Sequence, residues 1–323
     1  VTIREKTPPE SVVNAWWPPG HFIKTIAKRR VTFDGATINN PQGYWMANVF
    51  IAPDERISAG LLRMLNNSAN QAAEYLQSQG MKLSEAVKIL YAITPLSEEK
   101  AQNLLPRKFS LEQTAHLLSL THAAPPPSYV LITNEEIEKN IQYKFVGGWS
   151  FEKAEKINAD PVILRSVPRS ASPEYIKFLW DIAGGSYEFS PPMSPLSTEG
   201  NILTFPKNIK VNIATKETII QNDSGAAVPH SLFYLDGNNV VEKKFPGSAL
   251  PLSVLLYQDE GKYICRLLDP RLGRSTLIQL FFFDAKGSKY FEPLALESDL
   301  TGRTQIKVFR VKWESFLKDL DNN

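Results

Sequence analysis

The chain has 323 residues, 43% of them hydrophobic and 22% charged, with a formal net charge of +2. Its length and apolar content suit a packed core with room for two domains, and so small a net charge argues against a nucleic-acid partner. The single cysteine, Cys265, excludes an internal disulfide framework, and no apolar run approaches the roughly 20 residues that span a bilayer.

In chain order, Val12-Val13 and Val31 to Gly35 read as short extended segments on either side of Trp16-Trp17-Pro18-Pro19-Gly20-His21. Two adjacent indoles before two prolines allow two readings. The rings either pack in a core beside a turn, or form a surface that grips an extended peptide through large apolar bodies and two N–H donors. Asp34-Gly35 is a turn signal. From Asp54 to Gly80 apolar residues recur at helical spacing, with Gly80 as the stop. Ser84 is the expected cap of the next helix, which ends before Pro95. Ser97-Glu98-Glu99 opens another, closed by Pro106. Ser110 to Gln113 has the spacing of a capping box, as does Thr133 to Glu136. Between them, Tyr129 to Ile132 reads as a strand. Ile137, Ile141 and Phe145 share a helical face that ends at Gly147-Gly148, and a further helix runs from Ser172 to Gly184-Gly185.

Character changes at the three prolines of Ser190 to Pro195. Beyond them, strands are expected at 209–213, 218–220, 232–235, 252–257, 263–268, 275–283 and 304–311, with hairpin turns at Asp236-Gly237 and Asp259-Glu260-Gly261. The expected class is therefore α+β. Residues 1–190 form a helix-rich core carrying the Trp pair. Residues 196–323 form a mostly antiparallel β region, sandwich or barrel-like, whose last strand is free to return to the core. Starting at Val1 with no signal-peptide pattern, the chain reads as a fragment of something longer or a processed product.

The ordered set of features resembles the soluble C-terminal domain of the oligosaccharyltransferase catalytic subunit, a family with a WWDYG signature. The resemblance rests on the lead-in Thr7 to Ala15, then Trp16-Trp17, Gly20-His21, Arg30, Asp34-Gly35 and Tyr44-Trp45. It continues through Ser58, Gly60 to Leu65, the strand Tyr129 to Thr133 with Glu135-Glu136-Ile137, Trp149 and Phe151, and two late segments. These are Ser275 to Asp284 and Ile306 to Trp313, both resembling strands of the family. It implies a membrane enzyme that moves an oligosaccharide from a lipid carrier to asparagine in Asn-X-Ser/Thr, on the extracytoplasmic face. The catalytic residues and a divalent metal, Mn or Mg, would sit in a membrane half that this chain lacks, so the fragment alone is expected to be inactive. The chain would contact the acceptor peptide, and meet the lipid-linked oligosaccharide and the membrane through that missing half.

The resemblance assigns acceptor-peptide recognition to Trp16, Trp17 and Ile137, with Pro18, Gly20, His21 and Glu136 as neighbours. Two indole N–H groups and a carboxylate can satisfy the Ser/Thr hydroxyl, which both donates and accepts. Position 18 is proline where the family has aspartate, and proline offers no side-chain acceptor. Asp34, His21 or a backbone carbonyl could take that part, or acceptor specificity has changed. Ile137 fits the Thr methyl or, equally, a core position. Glu136 fits a capping-box glutamate. Lys24, Lys28, Arg29 and Arg30 form a basic cluster suited to an anionic carrier or lipid headgroups, or to a solvated helix face.

The four histidines, at 21, 116, 122 and 230, lack metal-ligand spacing. No phosphate loop, nucleophile elbow or paired-carboxylate signature is present. The alternative is a non-catalytic extracytoplasmic module that binds carbohydrate or a partner protein. Residues 201–311 contain several tyrosines but no tryptophan, which weakens a sugar-stacking platform.

Overall fold

A computed structural model of the chain describes residues 2–36, 41–105, 109–138, 143, 146–151, 155–156, 190–222, 225–248, 250–298 and 304–322. It divides into two units. One comprises Val1–Ile157 with Ser275–Asn323, and the other is Asn158–Arg274. The sequence reading instead set one boundary at Ser190 to Pro195.

The first unit begins with α1 (Thr2–Lys6), β1 (Val12–Asn14), α2 (Trp17–Phe22), a π-helical turn (Ile23–Ala27) and β2 (Arg30–Val31). Thr32 to Gly35 is not strand, so the expected extended segment is shorter. A helical series follows: α3 (Gln42–Ile51), α4 (Glu55–Ser68), α5 (Gln71–Ser78), α6 (Leu83–Ile93), α7 (Glu98–Leu104) and α8 (Leu111–Thr121). The periodic run from Asp54 to Gly80 is thus two helices, broken at Ala69 with φ +52. Asn66 to Asn70 is rich in side chains that compete for the backbone and favour helix ends. Asn70 is drawn away instead, accepting the Trp45 indole N–H at 3.1 Å. Ser84 does not cap α6; Lys82 occupies that position. Ser97 does cap α7, its Oγ accepting from Lys100 N. Ser110 and Gln113 form the reciprocal capping box that opens α8.

Within α4, Gly60 serves close packing. A Cβ there would lie 2.5 Å from the Thr94 carbonyl oxygen and 2.6 Å from its carbon. Gly60→Ala, which would normally help a helix, is therefore expected to lower stability by about 1–3 kcal/mol. A rise in the urea midpoint would overturn this.

β3 (Ser128–Thr133) then enters the sheet, followed by α9 (Asn134–Glu138) and the small pair β4 (Trp149–Ser150) and β5 (Glu155–Lys156). Ile141 and Phe145, Pro106, and the expected helix from Ser172 to Gly185 lie outside the described residues.

The second unit contributes β6 (Ser197–Glu199), β7 (Ile202–Phe205), β8 (Ile209–Asn212), β9 (Thr218–Asn222) and β10 (Gly225–Ala227). After them come β11 (Ser231–Asp236), β12 (Asn239–Lys244), β13 (Ser253–Asp259) and β14 (Lys262–Leu268). They form two sheets, ordered β10-β9-β8-β7-β6 and β12-β11-β13-β14, antiparallel apart from the β11–β13 pair. Leu203, Phe205, Ile209, Val211 and Ile220 of the first sheet share one core cluster with Leu232, Val254, Leu256, Cys265 and Leu267 of the second. Alternating inward residues from two sheets are how a sandwich core is made. Glu260 (φ +48) and Gly261 (φ +79) make the tight hairpin turn expected there, since a turn with both central residues left-handed matches strand twist. The Cys265 thiol is fully buried and its pKa is pushed up by desolvation, which makes it an inert core group.

The chain then returns to the first unit. Ser275 to Phe283, expected as a strand, is helix α10 (Thr276–Phe283), with Ser275 capping through Ile278 N. It is followed by β15 (Phe291–Ser298), β16 (Gln305–Val311) and α11 (Trp313–Asn322). Trp313 thus opens a helix and does not close a strand. The first unit's sheet is mixed, ordered β15-β16-β3-β1-β2. β1 runs parallel to β2 and β3, while β16 runs antiparallel to β3 and β15. Pro293 sits on the edge strand beside a register shift, where a missing N–H is tolerated. Among the described residues, no helix is long and apolar enough to cross a membrane.

Candidate functional site

Helix α2 is built on the Trp-Trp-Pro-Pro-Gly run itself. Trp16 is its N-cap, with extended backbone and no side-chain cap bond, and Pro18 and Pro19 fall in the first turn. The first N–H groups of a helix have no intrahelical partner, so prolines cost nothing there and their fixed φ favours the start. The prolines therefore begin a helix where the sequence suggested a turn. Lys28, left-handed with φ +55, ends the π-helical turn that continues it.

Gly20 is the hinge of the site. It is buried, and a Cβ there would fall 2.5 Å from Asp34 Cβ and 2.8 Å from the Phe33 carbonyl oxygen. Only glycine allows α2 to touch the Phe33-Asp34 backbone this closely. A Cβ on Gly35 would likewise meet His21 Nε2 at 2.7 Å, so His21, though exposed, lies against the second glycine.

This contact places the Asp34 carboxylate against the motif. Its side chain is buried, its Oδ1 accepts from Ala36 N–H at 3.0 Å, and its Oδ2 pairs with the half-exposed Lys24 ammonium. Trp17 lies three residues before Gly20, one helical turn away on a neighbouring part of the surface. Trp17, Pro18 and Pro19 are half-buried.

Trp16 points elsewhere. It is 3% exposed and packs edge-on against Phe33 (5.0 Å) and Tyr143 (4.6 Å), and Tyr143 also meets Phe50 at 5.0 Å. Ile137 and Glu136 are buried too. Thr133 N–H donates to Glu136 Oε2 at 2.8 Å, and Glu136 N–H returns to Thr133 Oγ1 at 3.4 Å, the reciprocal capping pattern. Burial, reinforced by the charge of Glu136, raises the Tyr143 phenol well above its ordinary pKa. Of the residues assigned to peptide recognition and their neighbours, then, Trp17, Pro18 and His21 reach the surface, while Trp16, Gly20, Ile137 and Glu136 lie inside.

The basic cluster does not act as one patch. Arg29 is buried. Its guanidinium donates to Thr7 Oγ1 (2.8 Å), to the carbonyls of Arg4 (2.8 Å) and Thr7 (2.5 Å), and to that of Ala27 (3.1 Å). It braces α1 against the π-helical turn, its guanidinium spent on partners inside the fold. Lys24 is engaged by Asp34, whereas Lys28 and Arg30 are exposed. No local signal announces that Lys24, Gly20 and Asp34 converge, because nothing in their spacing brings them together. Among the described residues, no group of three or more His, Cys, Asp or Glu is placed to hold a metal ion.

The chain is 33% identical over 156 residues to the dolichyl-phosphooligosaccharide-protein glycotransferase of Methanocaldococcus jannaschii, covering 46% of this chain and 17% of that protein. The enzyme of the same name from Methanococcus voltae is 31% identical over 156 residues, with the same shares covered. The match thus spans about a sixth of the length of these relatives. The crystal structure of the C. jejuni PglB C-terminal domain shares the fold, with a TM-score of 0.50 at 11% identity over 96% of this chain and 97% of that one. No protein-family profile matches the chain. By sequence the likeness is therefore to these glycotransferases and by fold to the PglB C-terminal domain, and the α+β class expected from the sequence is the one observed.

Proposed function

We propose that the chain is the acceptor-recognising domain of a membrane oligosaccharyltransferase, which transfers a lipid-linked oligosaccharide to asparagine in Asn-X-Ser/Thr. The transfer chemistry, with its Mn or Mg ion, belongs in this reading to a membrane half outside the chain, and the domain works on the extracytoplasmic face. The names of the archaeal relatives support the transfer class. One observation carries the recognition step: Gly20 brings the Asp34 carboxylate against the helix that starts at Trp17.

Asp34 is the acceptor that Pro18 cannot be. The buried Asp34 carboxylate holds Lys24 and Ala36 N–H in this state, and a hydroxyl proton would take the place of the Lys24 ammonium. The indole N–H of Trp17 donates to the same hydroxyl. Lys24, on a flexible stem and 48% exposed, is the part of the pair that can move aside. Trp16 supports this corner from within by packing on Phe33, the neighbour of Asp34.

A site built around a hydroxyl rejects peptides lacking it, because its polar groups are then left unpaired. In the full-length enzyme, Asp34→Asn should weaken kcat/KM for an Asn-X-Thr peptide by roughly tenfold to a hundredfold, the worth of one charge-assisted bond. Its preference for Thr over Ala should collapse, and Pro18→Asp added to Asp34→Asn should restore it. Active Asp34→Asn enzyme that still selects Thr would overturn the assignment.

A further inference from the structure

We infer that the face carrying Phe22 and Ile26 is a docking surface for an anionic lipid bilayer, adjoining the peptide site at Pro19. Phe22 is 67% exposed and Ile26 53%. They lie four residues apart, across the junction of α2 and the π-helical turn, and so share one face. Beneath them a groove of about 310 Å³ is lined mainly by Ile3, Ile23, Leu131 and Val308 together with these two side chains. A large aromatic and a branched aliphatic held in water above an apolar groove mark a surface that is covered in use.

The surrounding charge selects the occupant. From Ser11 to Phe33 there is no Asp or Glu, and the cations open to this face are Lys28 and Arg30, Lys24 being paired with Asp34. Lys28 and Arg30 are exposed, as are Arg4 and Lys6 on α1, which Arg29 holds beside the π-helical turn. Among the described residues, the acidic groups near this face are Asp34, paired with Lys24, Glu5 on α1, and Glu297 at the groove, whose carboxylate accepts from Thr2 Oγ1 at 2.6 Å. Protruding apolar residues ringed by lysine and arginine are the makeup of a segment that sits in a headgroup layer, with the cations on phosphates and the apolar side chains among acyl chains. A second copy docking through the same face would set Arg4, Lys6, Lys28 and Arg30 against their own counterparts, which disfavours self-association here.

The test is co-sedimentation of the purified chain with vesicles of phosphatidylcholine alone or of phosphatidylcholine and phosphatidylglycerol in equal parts. Binding to the anionic vesicles should be at least roughly tenfold tighter and should weaken as salt is raised. Phe22→Ser with Ile26→Ser should lower it by about tenfold or more at unchanged melting temperature, since both side chains are already exposed. Lys28→Glu with Arg30→Glu should do the same without loss of fold. Binding that ignores both pairs of changes would overturn the proposal. So would no binding to anionic vesicles, or a concentration-dependent dimer dispersed by Phe22→Ser, which would assign the face to a second copy.

Discussion

Trp16→Ala should lower the unfolding free energy of the chain by about 3–5 kcal/mol, the range for emptying a large buried aromatic site, while Trp17→Ala should cost well under half of that. The two indoles are adjacent in sequence and opposite in use. Trp16 holds the N-cap position with extended backbone, which turns its ring inward onto Phe33 and Tyr143. Trp17 is the first residue of the helix and stays half-buried. Removing Trp16 takes an edge-on partner from both Phe33 and Tyr143 and opens a cavity between them. Because Phe33 precedes Asp34, the same change should also slacken the corner that carries the carboxylate. Full-length enzyme with Trp16→Ala should therefore lose both stability and peptide selection, whereas Trp17→Ala should lose selection with its melting temperature nearly kept. Urea denaturation of the two variants decides the matter, and equal losses would show that the pair works as one packed unit.

What could be read from the sequence follows how local its cause is. The capping boxes at Ser110 and Thr133 were legible because donor, acceptor and helix start lie within four residues. So was the hairpin at Asp259 to Gly261, where the turn chemistry fixes the backbone. Ser275 to Phe283 misled because all its side chains but Gln279 are buried, and a nearly unbroken apolar run has no period to separate strand from helix. The Ser275 cap was the one local sign of the helix. β15 was missed because Pro293 and the two glutamates, Glu292 and Glu297, look unlike a strand, and an edge position tolerates both.

The site divides in the same way. The run Trp16 to His21 announced itself by composition, but its geometry depends on contacts made at a distance. Gly20 meeting Asp34, and Lys24 pairing with it, are products of the fold. Arg29 is the sharpest example, since a run of Lys28-Arg29-Arg30 reads as a solvated basic face. Only the return of α1 supplies the carbonyls of Arg4 and Thr7 that take Arg29 into the interior.

Acid should unfold the first unit through His122. This residue ends α8, is 8% exposed, and pairs through Nδ1 with Thr121 Oγ1 at 2.7 Å. Its pKa is lowered from 6.5 to about 3, chiefly by desolvation and then by the positive charge of Arg63, which the Ile93 and Leu96 carbonyls offset only in part. Arg63 is itself buried, donating to the carbonyls of Thr94 (2.8 Å) and Leu96 (3.0 Å) and lying over the Phe316 ring. Its own pKa is lowered to about 10 by the same burial, so it stays cationic wherever His122 titrates. In the native state His122 is thus neutral down to about pH 3, while the unfolded chain takes up a proton near 6.5. Between those values the unfolded state binds more protons, so stability falls as pH falls and is unaffected above 6.5. The loss attributable to His122 should reach about 2 kcal/mol at pH 5 and grow further towards pH 3. His122→Asn removes the titrating group, and its denaturation free energy should change less between pH 7 and pH 5 by about that amount. Parallel pH profiles for the two proteins would mean that His122 is protonated in the folded chain and that Arg63 does not oppose its charge.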